Sequence, residues 1–449
     1  MFKETRSIST WKGDGMRKLT VKNFSVIKEA ELEFGKITVL IGPQSSGKSL
    51  LCKLAYFLSK KTIDLALAAI LRKDTFEEFK TDFITEFTGW FPIDTWVRTD
   101  SIVRFKSCGF GVHISGFAGT DAFCTETDFS SHFKSLFADL AEQSREVRDT
   151  GADSRKYLAE QVEARFNLLL TETFVHRSVY IPDGRAFFAN QSLGFVALNN
   201  ADIDPLIRDF SLEVRLGDSW KPNPIAGEIA LVVLDEIRQE MNSIAGGYLE
   251  GRNKTAKFRR VSDGRAIPLT LLSSGTQEML PLLNVLGQVA TGQRDRIIFP
   301  RPNNLAAMPR EIILSKGLIY LEEPEANVFP DTQYKLVQLF SRLSHEPTLD
   351  FTWVITTHSP YILTAFNNLI EAGQVARQKP ELKDEVAKLI PEKYWIKQDD
   401  FKAYAIEDGV LRSIVAKDTG LVSANYLDQV SETIGMEFDE LLRLGYVES

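Results

Sequence analysis

The sequence predicts an α/β fold in which a mixed, largely parallel sheet is flanked by helices, with an antiparallel β subdomain and an inserted helical subdomain. Three observations carry this. The apolar run Ile37–Ile41 leads into Gly42-Pro43-Gln44-Ser45-Ser46-Gly47-Lys48-Ser49, a complete G-x-x-x-x-G-K-[ST] element, and a helix-compatible stretch from Leu50 to Leu58 follows. The runs Gly317–Leu321 and Thr352–Thr357 are further apolar strands, ending in Glu322-Glu323 and in His358-Ser359-Pro360. Period-two segments and helix-period segments alternate between them, as helices packed on a sheet require.

Taken in order, Lys18 to Phe34 alternates over two short segments, predicting a strand pair joined near Asn23. From Lys60 to Trp90 the period is helical, with Ile63, Leu67, Ile70 and Leu71 on one face and Phe79, Phe83 and Phe87 at four-residue spacing. Those aromatics read as core. β character returns from about Thr95 to Phe123, and Phe129 to Thr173 reads as long polar helices broken around Gln143–Ser154. Ser178–Pro182 is a short buried strand that turns at Asp183-Gly184-Arg185, residues that either shape a site or cap a loop. After the proline-rich joint Trp220–Pro224, a helix is expected over about Gly227–Ser243, then a hairpin sheet from Gly246 to Leu271 with turns at Asn253 and Asp263-Gly264. Leu271–Glu278 is a Ser/Gly turn opening a helix through Leu286. The tail holds two strands around Tyr404 and Leu411 and a terminal helix from about Asn425 to Leu444.

Composition narrows the class. The chain has 449 residues, 44% hydrophobic and 25% charged, enough for a large core in two or three domains. A formal net charge of −8 excludes a globally cationic surface for nucleic acid and leaves only local basic faces, such as Arg252, Lys254, Lys257, Arg259 and Arg260, or Arg294, Arg296 and Arg301. Three cysteines, Cys52, Cys108 and Cys124, fit neither a zinc cluster nor a disulfide framework, which points to a reducing compartment. The charged N-terminal stretch lacks a signal-peptide core and no run reaches the roughly 20 apolar residues of a membrane span. A cytoplasmic location without a membrane partner is expected.

The chemistry rests on four motifs. Glycines in Gly42–Ser49 let successive N–H groups face phosphate oxygens, with Lys48 reaching the β- and γ-phosphates and the Ser49 hydroxyl ligating Mg²⁺. Glu322 ends its strand where a carboxylate can face the magnesium shell, and Glu323, just beyond, is placed to act as general base on a water. His358 ends another strand at the same expected carboxyl edge, where open α/β sheets bind ligands. Ser273-Ser274-Gly275 opens a helix whose free N–H groups suit an anion, although Ser as N-cap explains the string without one.

In this order, phosphate loop, Leu272-Ser273-Ser274-Gly275, Leu321-Glu322-Glu323-Pro324-Glu325-Ala326-Asn327-Val328-Phe329 and Thr356-Thr357-His358-Ser359-Pro360, the chain resembles the ATP-binding-cassette (ABC) ATPase head. More narrowly it resembles the RecF/SMC branch, with overcoming-lysogenization-defect ATPases and the AAA-type ATPase subunits of antiphage systems of the PARIS, Septu and retron-associated kinds. The resemblance covers about residues 17–60 and 175–370. It implies ATP and Mg²⁺ as ligands, Gly42, Pro43, Gln44, Ser45, Ser46, Gly47, Lys48 and Ser49 as the phosphate loop, and Ser273, Ser274 and Gly275 as a signature turn touching ATP on an opposite protomer. It further implies Ser49 and Glu322 at the metal, Glu323 as catalytic carboxylate, Pro324–Ala326 as the start of a dimer-facing loop, and His358 as a γ-phosphate switch. This chain departs from it with Glu322 in place of the usual aspartate, Asn327 and Phe329 in place of histidines, and Ser-Ser-Gly in place of Ser-Gly-Gly. Gln191 is the candidate for the magnesium-sensing glutamine.

The implied organisation is an N-terminal ATPase lobe over 1–60, a helical and β insertion over 61–174, a C-terminal ATPase lobe over 175–370, and an α+β extension over 371–449. No long coiled coil separates the lobes, and the acidic pairs Asp399-Asp400 and Glu407-Asp408 do not form the Toprim nuclease pattern. The expected protein is therefore an ATPase that forms a homodimer or higher oligomer through its ATP sites and controls a separately encoded effector, a nuclease, in antiphage defence. A RecF-like DNA-binding repair ATPase is the alternative, and a transporter ATPase ranks below both.

Overall fold

The computed structural model describes residues 17–96, 100–107, 109–118, 123–146, 162, 177–189, 203–214, 228–251, 256–292, 315–423 and 436. Cys108, Gln191, the Trp220–Pro224 joint, the Asn253 turn, the basic residues Arg252, Lys254, Arg294, Arg296 and Arg301, and the expected terminal helix (apart from residue 436) lie outside the described residues.

The N-terminal alternation forms β1 (Lys18–Phe24) and β2 (Ile27–Glu33), an antiparallel pair that turns at Ser25-Val26, slightly past the expected Asn23. β3 (Ile37–Ile41) delivers the phosphate loop to α1 (Lys48–Tyr56). One helical rod continues through a π-turn at Phe57–Lys61 into α2 (Thr62–Arg72). The Thr62 hydroxyl donates to the Phe57 carbonyl at 3.2 Å and takes up an acceptor left by the wider turn. α3 (Phe76–Trp90) starts at a capping box, with Thr75 and Glu78 satisfying each other's backbone N–H groups.

β4 (Ser101–Ser107), β5 (Phe110–Ala118) and β6 (Phe123–Phe129) extend the β1–β2 sheet edge as a meander. α4 (Ser131–Glu146) follows; far from polar all round, it buries Phe133, Leu136, Phe137 and Leu140. Then come β7 (Arg177–Ile181), α5 (Pro205–Glu213) and α6 (Glu228–Ala245). β8 (Gly247–Glu250), β9 (Lys257–Arg260) and β10 (Ala266–Pro268) make a separate antiparallel sheet. α7 (Ser274–Ala290) is capped by the Ser273 side chain. β11 (Ser315–Glu322), α8 (Pro330–His345), β12 (Leu349–Thr357) and α9 (Pro360–Gln378) complete the α/β alternation before β13 (Phe401–Glu407) and β14 (Val410–Ser413).

The main sheet has eleven strands in the order β6-β5-β4-β1-β2-β14-β13-β3-β12-β11-β7. β13, β3, β12, β11 and β7 are mutually parallel, and the strands beyond β14 are antiparallel among themselves. The segment expected as a C-terminal extension thus supplies a strand hydrogen-bonded to β3. The antiparallel strands of the expected insertion are continuous with the same sheet.

Strand parity divides the core into two layers. Ile37, Val39, Ile319, Leu321, Trp353 and Ile355 face one layer with α6 to α9, whereas Leu40, Leu318, Tyr320 and Val354 face the other with α1 to α4. The second layer is aromatic. Phe57, in the π-turn, meets Phe83, Phe87, Trp90 and Phe91 at ring-centroid distances of 5.6, 5.4, 5.3 and 5.9 Å, mostly edge to face. Phe57→Ala is expected to destabilise the fold by about 3–5 kcal/mol, read from the urea midpoint. A loss below about 1 kcal/mol, far under the usual core-aromatic cost, would show that the cluster does not brace the rod.

Candidate functional site

Register brings the motifs together. Ile41 of β3 pairs with Thr357 of β12, and Thr356 pairs with Glu322 of β11. Gly42, His358 and Glu323 therefore leave three adjacent parallel strands within about one residue of each other, at the carboxyl edge where such sheets bind ligands. The Ser273–Gly275 turn arrives by a different route, at the N-terminus of α7. It packs against the loop after Glu323: a Cβ on Gly275 would lie 2.4 Å from the Asn327 carbonyl oxygen, so only glycine lets the two backbones approach.

In the phosphate loop, Ser45 (φ 58°) and Gly47 (φ 103°) adopt left-handed conformations, which curl the backbone so that its amides converge. Gly47 caps α1 without any side-chain hydrogen bond, leaving the helix-terminal N–H groups open to an anion. Pro43, Gln44, Ser45 and Ser49 are exposed, and Gly42, Ser46 and Gly47 are half-buried. The Lys48 ammonium donates to the carbonyls of Gly42 and Pro43, both at 2.8 Å, and so lies over its own loop. Burial lowers its pKa, opposed by the charges of Glu323 and Glu325.

Parity places Glu322 on the α1 side of the sheet, beside Cys52 and Tyr180, where it is 6% exposed. One carboxylate oxygen accepts the Asp183 backbone N–H at 3.2 Å; the other, Oε1, is buried and makes no hydrogen bond. Glu323 follows in a left-handed conformation (φ 41°), a strained state for a non-glycine residue costing about 1–3 kcal/mol. Its N–H donates to the Thr356 carbonyl at 2.9 Å, and its carboxylate meets His358 Nε2 at 3.0 Å. Burial and then the Asp183 charge raise the Glu323 pKa, Glu325 adds to this, and His358 and Lys48 oppose it.

Two residues hold this arrangement from behind. Glu325 Oε1 accepts from the Thr357 hydroxyl at 2.7 Å and from the His358 N–H at 2.5 Å, fixing the His358 backbone relative to the Glu323 turn. Arg185, fully buried, donates to the carbonyls of Glu322 and Glu323 at 2.8 and 3.0 Å. Motif reading missed Glu325 as a positioning group and left Arg185 undecided. The available signal was their adjacency to Glu322-Glu323 and Asp183, which gives no hint of what they bond.

The residues fit a magnesium ion bound together with phosphate. Glu322 Oε1 is an orphaned carboxylate oxygen, Ser49 stands in the first turn of α1, and all the donors are hard oxygens. Among the described residues no group of three or more His, Cys, Asp or Glu side chains is arranged to hold a metal, so phosphate oxygens would complete the shell.

Residues 213–363, which include Ser273–Gly275, Glu322, Glu323 and His358, match a family model described as an AAA ATPase domain. The matched segment resembles an ATPase domain. Among curated proteins nothing matches the chain. Similar solved structures include an SMC head bound to the C-terminal winged-helix domain of ScpA (11% identity, 89% of this chain and 96% of that one, TM-score 0.39). An SMC head domain from Thermotoga maritima gives 11% identity, 89% and 98% coverage and a TM-score of 0.36. The recombination mediator RecF gives 12%, 89% and 98%, and 0.31.

A carboxyl with a raised pKa keeps its proton to higher pH, and a general base must have lost it. Activity that uses Glu323 as base should therefore fall on the acid side at a higher pH than an ordinary glutamate would set. Asp183→Asn removes a like charge and should move that acid limb to lower pH. Paired pH–rate profiles check this, and an unmoved limb counts against the assignment.

Proposed function

We propose that the chain is an ATP-hydrolysing switch whose nucleotide sites are completed by a second copy, and that it controls a separately encoded effector, a nuclease, in bacterial antiphage defence. The observation that carries the ATPase reading is the 3.0 Å pairing of Glu323 with His358 on the edge that also holds the Lys48 loop. The loop amides and Lys48 bind the phosphates, and Ser49 and Glu322 would hold Mg²⁺, which would supply positive charge against the phosphates. Glu323 orients a water and takes its proton, and His358 holds the Glu323 carboxylate facing the γ-phosphate position. The fixed turn around Glu323 keeps this base in place without reorganisation during the reaction.

Closure against a second copy is supported by what surrounds the Ser273 turn. Ser273, whose hydroxyl caps α7, and Ser274 are exposed, and Leu271 and Phe329 are 73% and 77% exposed, apolar side chains that flank an exposed polar turn. ATP that binds the closed pair more tightly than the open one shifts the assembly, and hydrolysis releases it. The defence role and nuclease effector rest on the resemblance of the Leu321–Phe329 and Thr356–Pro360 motifs.

On the small sheet Arg259 pairs with Glu250, and Arg260 shares Asp263 with Arg265, so two of the five basic residues of that segment have acidic partners and the DNA-binding alternative gains no support there. A transporter role would need a membrane partner; no helix among the described residues is long and apolar enough to cross a membrane itself.

Lys48→Ala should abolish ATP binding. Glu323→Gln should keep binding, lose at least about 100-fold in hydrolysis, on the scale of removing a proton-transfer group, and accumulate a larger species with ATP by light scattering. Ser273→Arg should lower hydrolysis while a single protomer still binds ATP. Native-rate turnover by Glu323→Gln would refute Glu323 as the base, and equal loss of binding and hydrolysis in Ser273→Arg would refute the composite site.

A further inference from the structure

Arg185 is fully buried, in the turn that follows β7, and its guanidinium serves two structures at once. On one side Nη1 donates to the Pro182 carbonyl at 3.2 Å and to the Glu322 carbonyl at 2.8 Å, and Nη2 donates to the Glu323 carbonyl at 3.0 Å. On the other side Nε faces Glu278 Oε2 at 3.6 Å. Neither of those two atoms makes a hydrogen bond, although both are buried. Glu278 is 5% exposed and lies in the second turn of α7, the helix capped by Ser273. Its carboxylate also accepts from the Ala186 backbone, next to Arg185.

Buried charges without full hydrogen bonding are costly, so a gap between two otherwise satisfied ions is an unusual state to keep inside a core. It is also one that a shift of a few tenths of an ångström can open or close. Such a shift of α7 would change how firmly the guanidinium grips the backbone on which Glu323 stands in its left-handed conformation. The planar fork matters because one guanidinium reaches two successive carbonyls and a carboxylate, which a lysine ammonium on a flexible stem cannot do with the same geometry.

We infer that Arg185 is a positioning residue that couples α7, through Glu278, to the Glu322–Glu323 turn. A contact made at Ser273 by a second copy would then be transmitted through α7 to the carboxylate at the other end of the linkage. The inference rests on the reading above for what Glu323 does, but the mechanical link between Glu278 and the Glu323 turn does not depend on hydrolysis.

The test uses the full chain and three variants, Glu278→Gln, Arg185→Lys and the double variant. Glu278→Gln keeps an oxygen acceptor and the side-chain volume, and thermal melts register any general loss of folding. Hydrogen exchange should be faster at the amides of Glu323 and of residues 325–328 in Glu278→Gln, with the amides of β12 unchanged. Unchanged exchange at 323–328 in that variant overturns the coupling, whether or not the chain hydrolyses ATP. In turnover assays kcat should fall about tenfold in Glu278→Gln and further in Arg185→Lys, with affinity for a fluorescent ATP analogue held within about twofold, because the linkage acts on the base and not on the phosphate seat. The double variant should be no slower than Arg185→Lys alone. Additive losses, or nucleotide affinity falling in step with kcat, would refute it. A wild-type chain that binds ATP but never hydrolyses it would sink the proposed ATPase while leaving the exchange result to decide the linkage.

Discussion

The rest of the site depends on the register of three parallel strands. Because β3, β12 and β11 pair with Ile41 opposite Thr357 and Thr356 opposite Glu322, the chain leaves the sheet at nearly one level three times in succession. A slip of one residue between β11 and β12 would turn Glu322 to the opposite face of the sheet, away from α1, and separate Glu323 from His358, and a slip between β12 and β3 would move both away from the Gly42–Ser49 loop. That register is held by packing on both faces. Trp353 and Ile355 point into one buried layer and Val354 into the other, so a shifted strand would exchange side chains of different size between two close-packed layers.

Within that frame the electrostatics are opposed in a useful way. Glu322, Glu323, Glu325 and Asp183 crowd one end of the sheet, with Lys48 and Arg185 as the counter-charges. Burial pushes the Glu323 carboxyl toward its neutral form and the Lys48 ammonium toward its own. Backbone strain at Glu323 is retained because both ends of its peptide environment are tied, the N–H to Thr356 and the carbonyl to Arg185. Strain of this kind persists only where the surroundings over-determine the backbone, as these two bonds do.

The residues whose bonding partners lie nearby in sequence were readable from sequence. Gly42–Ser49 announces itself because the loop's shape follows from local glycines and a following helix, and the Ser273 cap follows from a serine before an apolar helical period. Strands ending in Glu322-Glu323 and in His358 were equally visible, since apolar runs stop where charge begins. Arg185 and Glu325 were not, because their partners, Glu278 and the Glu322 and Glu323 carbonyls for one and Thr357 for the other, are distant in sequence or belong to the backbone. Nor could local pattern say that β13 inserts beside β3, because a short apolar strand reads the same whether it ends a domain or completes its centre.

Sequence by itself therefore determined which side chains are candidates for chemistry and the strand, loop and helix on which each stands, because those depend on local propensity and on periodicity. Tertiary structure alone decided that the Gly42–Ser49 loop, the carboxylate pair and His358 share one edge, that the Ser273–Gly275 turn leans on the Asn327 loop, and that Arg185 stands between Glu278 of α7 and the Glu322 and Glu323 carbonyls. Those facts depend on strand order, register and the meeting of backbone groups far apart in the chain, and many different sheets could have been built from the same local elements.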